Sequence, residues 1–360
     1  MGYNILTDGA HQADLAWSLI LLGNRLGAKI FFPYGTDWFD EEYFRLYEHP
    51  RKKNPARWLA KQYLEDIYYD FNGEKGIRLE SVNACLDYPN PLNLLTLEQA
   101  KDTPIDIVIC TVHENEFYFA KLKEFYPNAK FIRQVGNQLD TNVNEKLYPN
   151  LLASATAPYE KFSKNKVLYK QEFDLNLFKY RPLYNFNNIY SFQNDLEEDE
   201  DAWDMWLYLK HNLTHPKDAT PHFNFKSYGV GNHDGKIFPK RRLVEEMLDS
   251  TFIFQRKFAE GFGHVVHNAF ALGRIMVLNP ETYLQGIAKD LLEDEKTCIF
   301  IPNDNWKENN MGKLINKIIH WSHPERATWL GENARNRFLE MIDFNREYKE
   351  KLEPFFSNLI

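Results

Sequence analysis

The chain has 360 residues, of which 44% are hydrophobic and 26% are charged, and its formal net charge is −8. This length predicts two domains, each large enough to bury a core of its own. The negative charge argues against a surface that is basic throughout, although a local basic patch can still bind nucleic acid. Cys85, Cys110 and Cys298 have neither metal-binding nor redox spacing, so we expect reduced thiols and a cytoplasmic protein.

The first half of the chain alternates short apolar runs with amphipathic segments. A strand, a helix and a second strand open it, and this order predicts a parallel sheet. Asp8 and His11 interrupt the first apolar run and Ala16–Leu22 is short, so we expect neither a signal peptide nor a membrane span. Residues 36–100 are rich in aromatic, proline and charged residues and are expected to add loops and helices. The predicted strands are Tyr3–Leu6, Lys29–Phe32, Ile105–Thr111, Lys130–Gln134 and Leu151–Ala155, and the predicted helices are Ala13–Leu26 and Glu116–Phe125.

The second half repeats this alternation, and Val167–Tyr169 is predicted to begin it as the first strand of a second domain. The acidic residues 195–204 admit either a metal site or a helix N-terminus, and the apolar spacing that follows favours the helix. The final residues of the chain predict a helix that is broken at Pro354. The other predicted strands are Ile189–Phe192, His222–Tyr228, Phe252–Phe254 and Arg274–Leu278, and the predicted helices are Ala202–Leu209, Leu243–Leu248 and 264–272.

A glycine-rich turn joins the strand at Phe252–Phe254 to the helix at 264–272. Gly261 and Gly263 bracket this turn, where a missing Cβ allows unusual backbone angles and close approach of a ligand. The unpaired amides and the dipole at the start of the helix suit a phosphate or diphosphate. Glu260 lies beside them, and its carboxylate repels phosphate but accepts hydrogen bonds from sugar hydroxyls. N–H groups that donate hydrogen bonds to phosphate, next to a carboxylate that accepts hydrogen bonds from hydroxyls, predict a site for a nucleotide-sugar.

This turn resembles the donor-binding motif of retaining GT-B glycosyltransferases, in which E-G-F-G opens an E-x7-E pattern. The first acid of the pattern is Glu260, which in the family contacts the donor sugar. The second position holds Asn268 instead of the glutamate that usually holds the nucleotide ribose, and an amide bonds a hydroxyl without charge. The similarity to the family covers roughly residues 167–340, and the similar segments follow one another in the same order as in the family. The donor-binding positions that the resemblance implies are Gly229, Gly231, Gly261, Phe262, Gly263, His264, Val265 and Asn268.

The resemblance implies an α/β chain of GT-B architecture, in which two Rossmann-like, doubly wound parallel-sheet domains face each other across a cleft. Residues 1–165 are expected to form the acceptor-binding domain, and residues 166–340 the nucleotide-sugar-binding domain. Residues 341–360 are expected to form a terminal helix that returns to the N-terminal domain. Ligands of such sheets bind at the carboxyl ends of the strands.

Sugar transfer requires stabilisation of the departing nucleoside diphosphate, which cations and fixed N–H dipoles provide. Arg256 and Lys257, just before Glu260, are the nearest cations. Family members commonly carry an arginine and a lysine after the strand that is predicted here at Ile189–Phe192, but this chain has Asn194 and acids there. Further candidates are Lys226 and the cluster Lys240–Arg242, which also fits an exposed helix start.

His11 follows the first strand, and the ordinary pKa of a histidine suits a general base. In some inverting GT-B enzymes a histidine in this region has that role. The E-G-F-G resemblance favours retention, which needs no dedicated base, so His11 then binds sugar or is only a polar loop residue. The other residues expected to contact the acceptor are Asp8, Gly9, His113, Glu114 and Asn137.

Basic and aromatic side chains interleave between residues 45 and 61. Phosphate contacts and base stacking use these residue types, although an exposed helix face explains the same pattern. Some viral enzymes with this fold glycosylate modified DNA bases, so modified DNA stays among the possible acceptors beside glycans and small molecules. The residues expected to hold such an acceptor are Arg51, Lys52 and Lys53.

Taken together, these patterns predict a glycosyltransferase, either a hexosyl- or a pentosyltransferase, that retains anomeric configuration. Its co-substrate is expected to be a UDP- or GDP-linked sugar, and its chemistry is expected to need no metal and no other cofactor. Two alternatives remain open. One is a sugar-nucleotide epimerase of the same architecture, and the other is a non-catalytic binding module, which Asn268 and the missing cations support.

Overall fold

The structure is a computed structural model that describes residues 2–8, 13–34, 38, 93–111, 116–214, 222–229, 231–235, 237, 240–302 and 310–359. The chain divides into two compact units. The first unit is Met1–Phe173 together with Phe344–Ile360, and the second unit is Asp174–Asp343. Within the described ranges, no helix is both long enough and apolar enough to cross a membrane.

A seven-stranded sheet forms the centre of the first unit. Its strands are β1 (Asn4–Thr7), β2 (Lys29–Tyr34), β3 (Asn93–Thr96), β4 (Ile107–Cys110), β5 (Lys130–Val135), β6 (Asn150–Ala153) and β7 (Asn165–Leu168). Their order across the sheet is β3-β2-β1-β4-β5-β6-β7, and every neighbouring pair is parallel. The central strand β4 is buried along its whole length, as an apolar strand in a sheet covered on both faces should be.

A five-stranded sheet forms the centre of the second unit, and it is also parallel throughout. Its strands are β8 (Asn188–Ser191), β9 (Asn224–Ser227), β10 (Phe252–Gln255), β11 (Ile275–Leu278) and β12 (Cys298–Phe300). The order β12-β11-β10-β8-β9 places β10 in the middle. The loop that leaves β10 therefore emerges at the centre of the carboxyl edge of this sheet, where open α/β sheets bind ligands.

Helices lie in most of the described connections between strands, as is usual for parallel pairing. In the described ranges of the first unit they are α1 (Ala13–Leu26), α2 (Leu97–Ala100), α3 (Glu116–Phe125) and α4 (Thr156–Lys161). Those of the second unit are α5 (Glu200–Thr214), α6 (Lys240–Asp249), α7 (His264–Leu272), α8 (Pro280–Tyr283), α9 (Met311–Trp321) and α10 (Pro324–Met341). The core of the second unit joins α5 to the sheet, where the Trp206 ring lies 5.5 Å from the ring of Phe254.

The chain returns to the first unit through α11 (Phe344–Glu347), a wider helical turn at Tyr348–Leu352, and α12 (Glu353–Ser357). Within the first unit, Arg25 at the end of α1 binds both the outgoing and the returning segment. Its Nε lies 2.5 Å from Glu172, and its Nη1 donates to Asn345 Oδ1 at 2.8 Å. One guanidinium thus fixes the two places where the chain crosses between the units.

Three predicted elements are wrong. Val167–Tyr169 does not begin the second sheet, because β7 pairs with β6 at the edge of the first sheet. Part of the region 36–100, expected to hold loops and helices, is the edge strand β3. Such short edge strands carry no sequence signal that says which sheet they join. Pro354 does not break the last helix, because it stands in the first turn of α12, where a missing N–H breaks no helical hydrogen bond.

Candidate functional site

The turn between β10 and α7 is the centre of the candidate site, and it is tightly built. Gly261, Phe262 and Gly263 are all buried. Gly263 has φ of +76°, a left-handed conformation that costs residues with a Cβ about 1–2 kcal/mol. A Cβ at Gly263 would meet its nearest neighbour, the Glu260 side chain, only at 3.6 Å. Backbone conformation, rather than lack of space, therefore selects glycine at this position.

Helix α7 begins at His264 with Gly263 as its N-cap, and a glycine offers no side chain that could bond the first amides of the helix. Such amides, together with the helix dipole, form an anion site. At the other end, Gly273 ends the helix in the left-handed conformation. The helix therefore presents its positive end at the carboxyl edge of the sheet, directly after the central strand.

Glu260 lies beside this positive end, and its carboxylate is held at both oxygens. Lys257 Nζ lies 2.6 Å from Oε2, and the Gly261 N–H donates to Oε1 at 3.1 Å. About a fifth of the Glu260 side chain is accessible, 19%, so a ligand can still reach it. The pair places one negative and one positive group next to the amides of α7.

Asn279, directly after β11, fixes the backbone of the loop at Lys257. The Lys257 N–H donates to Asn279 Oδ1 at 3.1 Å, and Asn279 Nδ2 donates back to the Lys257 carbonyl at 3.0 Å. The Thr282 hydroxyl donates to the same carbonyl at 2.6 Å. Sequence reasoning missed Asn279, although a polar residue directly after an apolar strand was a signal for it.

Tyr283 and Gln255 form a buried polar contact under the loop. The Tyr283 hydroxyl donates to Gln255 Oε1 at 2.7 Å. Burial first, and then the negative charge of Glu260, raise the pKa of Tyr283 well above its ordinary value. The hydroxyl therefore remains a hydrogen-bond donor across the physiological range. Gln255 Nε2 is buried and has no hydrogen-bond partner within the described part of the chain.

Arg256 is held by acids that follow β8. Its guanidinium lies 3.7 Å from Asp199 and 3.6 Å from Asp201, and its backbone N–H donates to Gln193 Oε1 at 2.9 Å. Asp201 lies in the first turn of α5, which confirms the prediction of a helix N-terminus for the acidic stretch. No cluster of three or more metal-binding side chains is found among the residues with described positions.

The loop after β9 carries Gly229 and Gly231, both with positive φ. A Cβ on Gly229 would lie 2.7 Å from the Gln193 carbonyl oxygen, so glycine allows this loop to pack against the loop after β8. Asn232 completes the contact, because its Nδ2 donates to that carbonyl at 2.6 Å and its Oδ1 accepts from the Leu196 N–H at 3.0 Å. The two loops form one structure at the carboxyl edge.

Phe262 in the turn and Asn268 in α7 are both buried. The Phe262 ring stacks on His267 with centroids 4.0 Å apart and an interplanar angle of 12°, so its side chain supports the turn. Asn268 lies one turn after His264 in α7, and it is almost fully buried. Its Oδ1 has no hydrogen-bond partner within the described residues. Their contacts with a donor, and that of Val265, stay predictions.

The other predicted cations of this unit lie on β9 and α6. Lys226 Nζ pairs with Glu246 at 2.9 Å and lies 4.7 Å from the Tyr190 ring centroid. Lys240 is buried at the start of α6. Lys226 thus joins β9 to α6, while Lys257 and Arg256 are the predicted cations that the structure places in the loop around Glu260.

Two of the residues predicted to contact the acceptor are described, and both lie at strand ends of the first unit. Asp8 Oδ1 accepts from the N–H and the hydroxyl of Thr111, at 2.6 and 2.7 Å, and so joins the ends of β1 and β4. Asn137 follows β5, and its Oδ1 accepts from the Leu139 N–H at 3.0 Å. The positions that lie outside the described residues are Gly9, His11, Arg51, Lys52, Lys53, His113 and Glu114.

No protein-family model matches this chain, and its sequence matches no curated protein. Solved structures match it over nearly its whole length. HepE from Anabaena, in complex with UDP and glucose, has a TM-score of 0.61 at 12% identity, over 99% of this chain and 100% of that chain. Sucrose-phosphate synthase from Thermosynechococcus elongatus has a TM-score of 0.58 at 11% identity, over 99% of both chains.

A third match is an alpha-glucosyltransferase in complex with UDP and a 13-mer DNA that contains an HMU base. Its TM-score is 0.60 at 10% identity, over 99% of this chain and 100% of that chain. At such low identity the likeness establishes the fold. The chain has the α/β fold of GT-B glycosyltransferases, with two parallel-stranded sheets, as the sequence predicted.

Proposed function

We propose that this protein is a glycosyltransferase that moves a sugar from a nucleotide-sugar donor to an acceptor. One observation carries the proposal: the held carboxylate of Glu260 lies directly before the glycine turn that opens α7. A carboxylate that can accept hydrogen bonds from hydroxyls thus lies beside an anion site, at the centre of the carboxyl edge of the second sheet. The GT-B fold of the chain supports it, because several of the solved structures of similar fold contain UDP or a UDP-sugar.

The diphosphate of the donor is the group that the start of α7 would hold. The first amides of the helix donate to its oxygens, and the Lys257 ammonium adds a full positive charge. As the bond between the sugar and the diphosphate breaks, negative charge grows on the leaving oxygen. Dipoles and a cation that are already in place stabilise this charge without reorganisation.

The sugar of the donor is the group that Glu260 would bind. Its carboxylate is oriented by Lys257 and Gly261, so its remaining acceptor capacity points in a fixed direction. Hydrogen bonds from sugar hydroxyls to a charged acceptor are about twice as strong as neutral ones. We assign to Glu260 the recognition of the sugar and the positioning of its anomeric carbon.

The nucleoside of the donor would contact Asn268, whose buried Oδ1 has no hydrogen-bond partner among the described residues. UDP and GDP both carry ribose hydroxyls, and UDP is favoured because structures of similar fold contain it. Retention of anomeric configuration is proposed from the E-G-F-G sequence at 260–263. The assignment of His11 to sugar binding, and those of Asp8 and Asn137 to the acceptor, belong to the same proposal.

One experiment tests this function directly. Calorimetric titration with UDP, UDP-glucose and GDP-mannose measures donor binding, and chromatography measures slow release of free sugar when no acceptor is present. The proposal expects binding of at least one nucleotide-sugar and hydrolysis by the unaltered chain. Glu260→Gln should lose the sugar-dependent part of the affinity, whereas Glu281→Gln, a change of an exposed acid on α8, should not.

A non-catalytic binding module is the second candidate, and one observation favours it. Asp199 and Asp201 occupy the region after β8 where family members carry cations, and they neutralise Arg256. A module would bind the nucleotide-sugar but would release no sugar over days. Binding without hydrolysis or transfer to any acceptor would therefore decide for the module and against the enzyme.

A further inference from the structure

Phe258 is 85% exposed, two positions before Glu260. Between Ser250 and Pro280, a stretch that is described without gaps, it is the only exposed residue. Burying a side chain of this size is favourable, so leaving it in water is a cost to the ligand-free chain. Isolated apolar residues are common on protein surfaces. An aromatic ring that is the one exposed side chain in the loop of a candidate binding site is less common than an isolated apolar residue, and it points to contact with a ligand.

The backbone holds Phe258 in this exposed position. Its neighbour Lys257 is bonded at both its N–H and its carbonyl by Asn279, and Thr282 donates to the same carbonyl. The residues that follow, from Gly261 to Gly263, are buried. The loop is therefore anchored on both sides of Phe258, and the ring is presented to solvent by a fixed scaffold.

The charges around Phe258 indicate which class of ligand it fits. Each neighbouring cation is already matched by acid: Arg256 by Asp199 and Asp201, and Lys257 by Glu260. This loop therefore has no excess of positive charge. A polyanion such as DNA gains its affinity mainly from neutralisation of its phosphates, whereas the two cations nearest Phe258 are paired with acids and one of them belongs to the proposed donor site. A neutral ligand with a flat apolar face suits it better.

We infer that Phe258 binds the apolar face of a sugar ring in the acceptor, so that the acceptor is a glycan or glycoside. This inference rests on the proposed function. The C–H bonds on one face of a pyranose carry slight positive charge and pack against the negative face of an aromatic ring. The donor positions at 260–263 are partly or fully buried, whereas Phe258 stands outside them. The Phe258 ring is therefore accessible from solvent, as contact with an acceptor sugar requires.

Three variants test the inference. Phe258→Ala removes the ring, and Phe258→Tyr keeps an aromatic face. Leu339→Ala is the matched control, because Leu339 is an exposed apolar residue, 54% accessible, on α10 of the same unit. UDP-glucose is the donor, and the acceptor probes are maltose, cellobiose, lactose and a 13-mer duplex that carries a hydroxymethylated base. Transfer kinetics give the KM for each acceptor, and saturation-transfer NMR detects sugar binding in the presence of UDP.

Phe258→Ala should raise the KM for the sugar acceptor by about tenfold, the effect expected when a stacked ring is lost. Phe258→Tyr and Leu339→Ala should retain the KM of the unaltered chain. UDP affinity and donor hydrolysis should be unchanged in all three variants. An unmoved acceptor KM in Phe258→Ala would overturn the inference, as would a loss of equal size in UDP affinity.

Two further outcomes separate the inference from the proposed function. If the unaltered chain binds and hydrolyses UDP-glucose but neither binds nor glycosylates any of the sugars, the inference fails and the proposed function stands. If the unaltered chain transfers glucose to the duplex and to none of the sugars, the inference likewise fails and the proposed function stands. If the unaltered chain binds no nucleotide-sugar, both fail together.

Discussion

The Lys257 ammonium lies 2.6 Å from Oε2 of Glu260, three residues later in the same loop. In the ligand-free chain this contact balances the charge of the carboxylate beside the positive end of α7. A bound diphosphate would give Lys257 a second anionic partner without removing the first. The pair therefore lets one loop hold a carboxylate next to the anion site that we propose at the start of α7, although a carboxylate and a bound anion otherwise repel each other.

Glu260→Gln should separate recognition of the sugar from recognition of the nucleotide. The change removes the charge and keeps the shape, so UDP-glucose should bind more weakly by about 1.5–3 kcal/mol, the worth of a hydrogen bond to a charged group. UDP itself should bind as well as before or better, since Lys257 loses the carboxylate that balances it. Calorimetry with both ligands measures the difference. An equal loss for UDP and UDP-glucose would contradict this assignment of Glu260.

Lys257→Met should weaken binding of UDP. The variant keeps most of the side-chain volume and removes the cation, so UDP affinity should fall by about 1.5–3 kcal/mol. Because Lys257 is partly exposed, 29%, this difference should shrink as salt is raised towards about 1 M.

Lys296→Met is the matched control for this change. Lys296 forms the same kind of contact with Glu293, also three residues away, in an exposed pair of the second unit. Its replacement should leave UDP affinity unchanged. If both variants lost UDP affinity equally, the loss in Lys257→Met would reflect the lower positive charge of the whole chain and not a contact between Lys257 and the diphosphate.

Gly263→Ala should lower stability through backbone strain alone. A Cβ fits at this position, but φ of +76° costs a residue with a Cβ about 1–2 kcal/mol. The free energy of unfolding from chemical denaturation measures this loss, and UDP affinity should fall too if the first turn of α7 shifts. Gly312→Ala in α9 is the control, because its Cβ meets nothing within 4 Å and its φ is not positive. That variant should be neutral or more stable by up to about 1 kcal/mol.

Alkaline pH should unfold the protein as buried tyrosines lose their protons. Burial is the leading cause that raises the pKa of each of them above the ordinary value near 10, while the unfolded chain titrates near 10. Their contribution to stability is therefore complete below about pH 10 and is lost as pH rises above it. The residues are Tyr126, Tyr148, Tyr169, Tyr190, Tyr228 and Tyr283.

Tyrosinate absorbance and circular dichroism, recorded together against pH, check this expectation. The part of the absorbance change that comes from the buried tyrosines should appear above pH 10, over the same pH range in which the dichroism is lost. Smooth titration of all tyrosines near pH 10 in a chain that stays folded would contradict it.

Much of the fold was predictable from local pattern. The bounds of α1 and α3 are those that apolar spacing predicts, and β4, β5, β10 and β11 lie within one or two residues of the predicted strands. Apolar runs between turn residues specify such buried strands, because each must be covered on both faces. Of the edge strands, β3 and β12 were not assigned and β7 was assigned to the wrong sheet, since a short strand at a sheet edge depends on a neighbour that lies outside its own local pattern.

The sequence by itself determined the site's chemical groups: a carboxylate, two cations and a glycine turn that opens a helix, all between Arg256 and Gly263. They are contiguous, so their proximity needed no knowledge of the fold. Only the tertiary structure decided how their charges are used. Asp199 and Asp201 come to Arg256 because β8 lies beside β10, and Asn279 comes to Lys257 because β11 lies on the other side. Strand order brings such residues together across tens of positions, and no local pattern in this chain encodes that order.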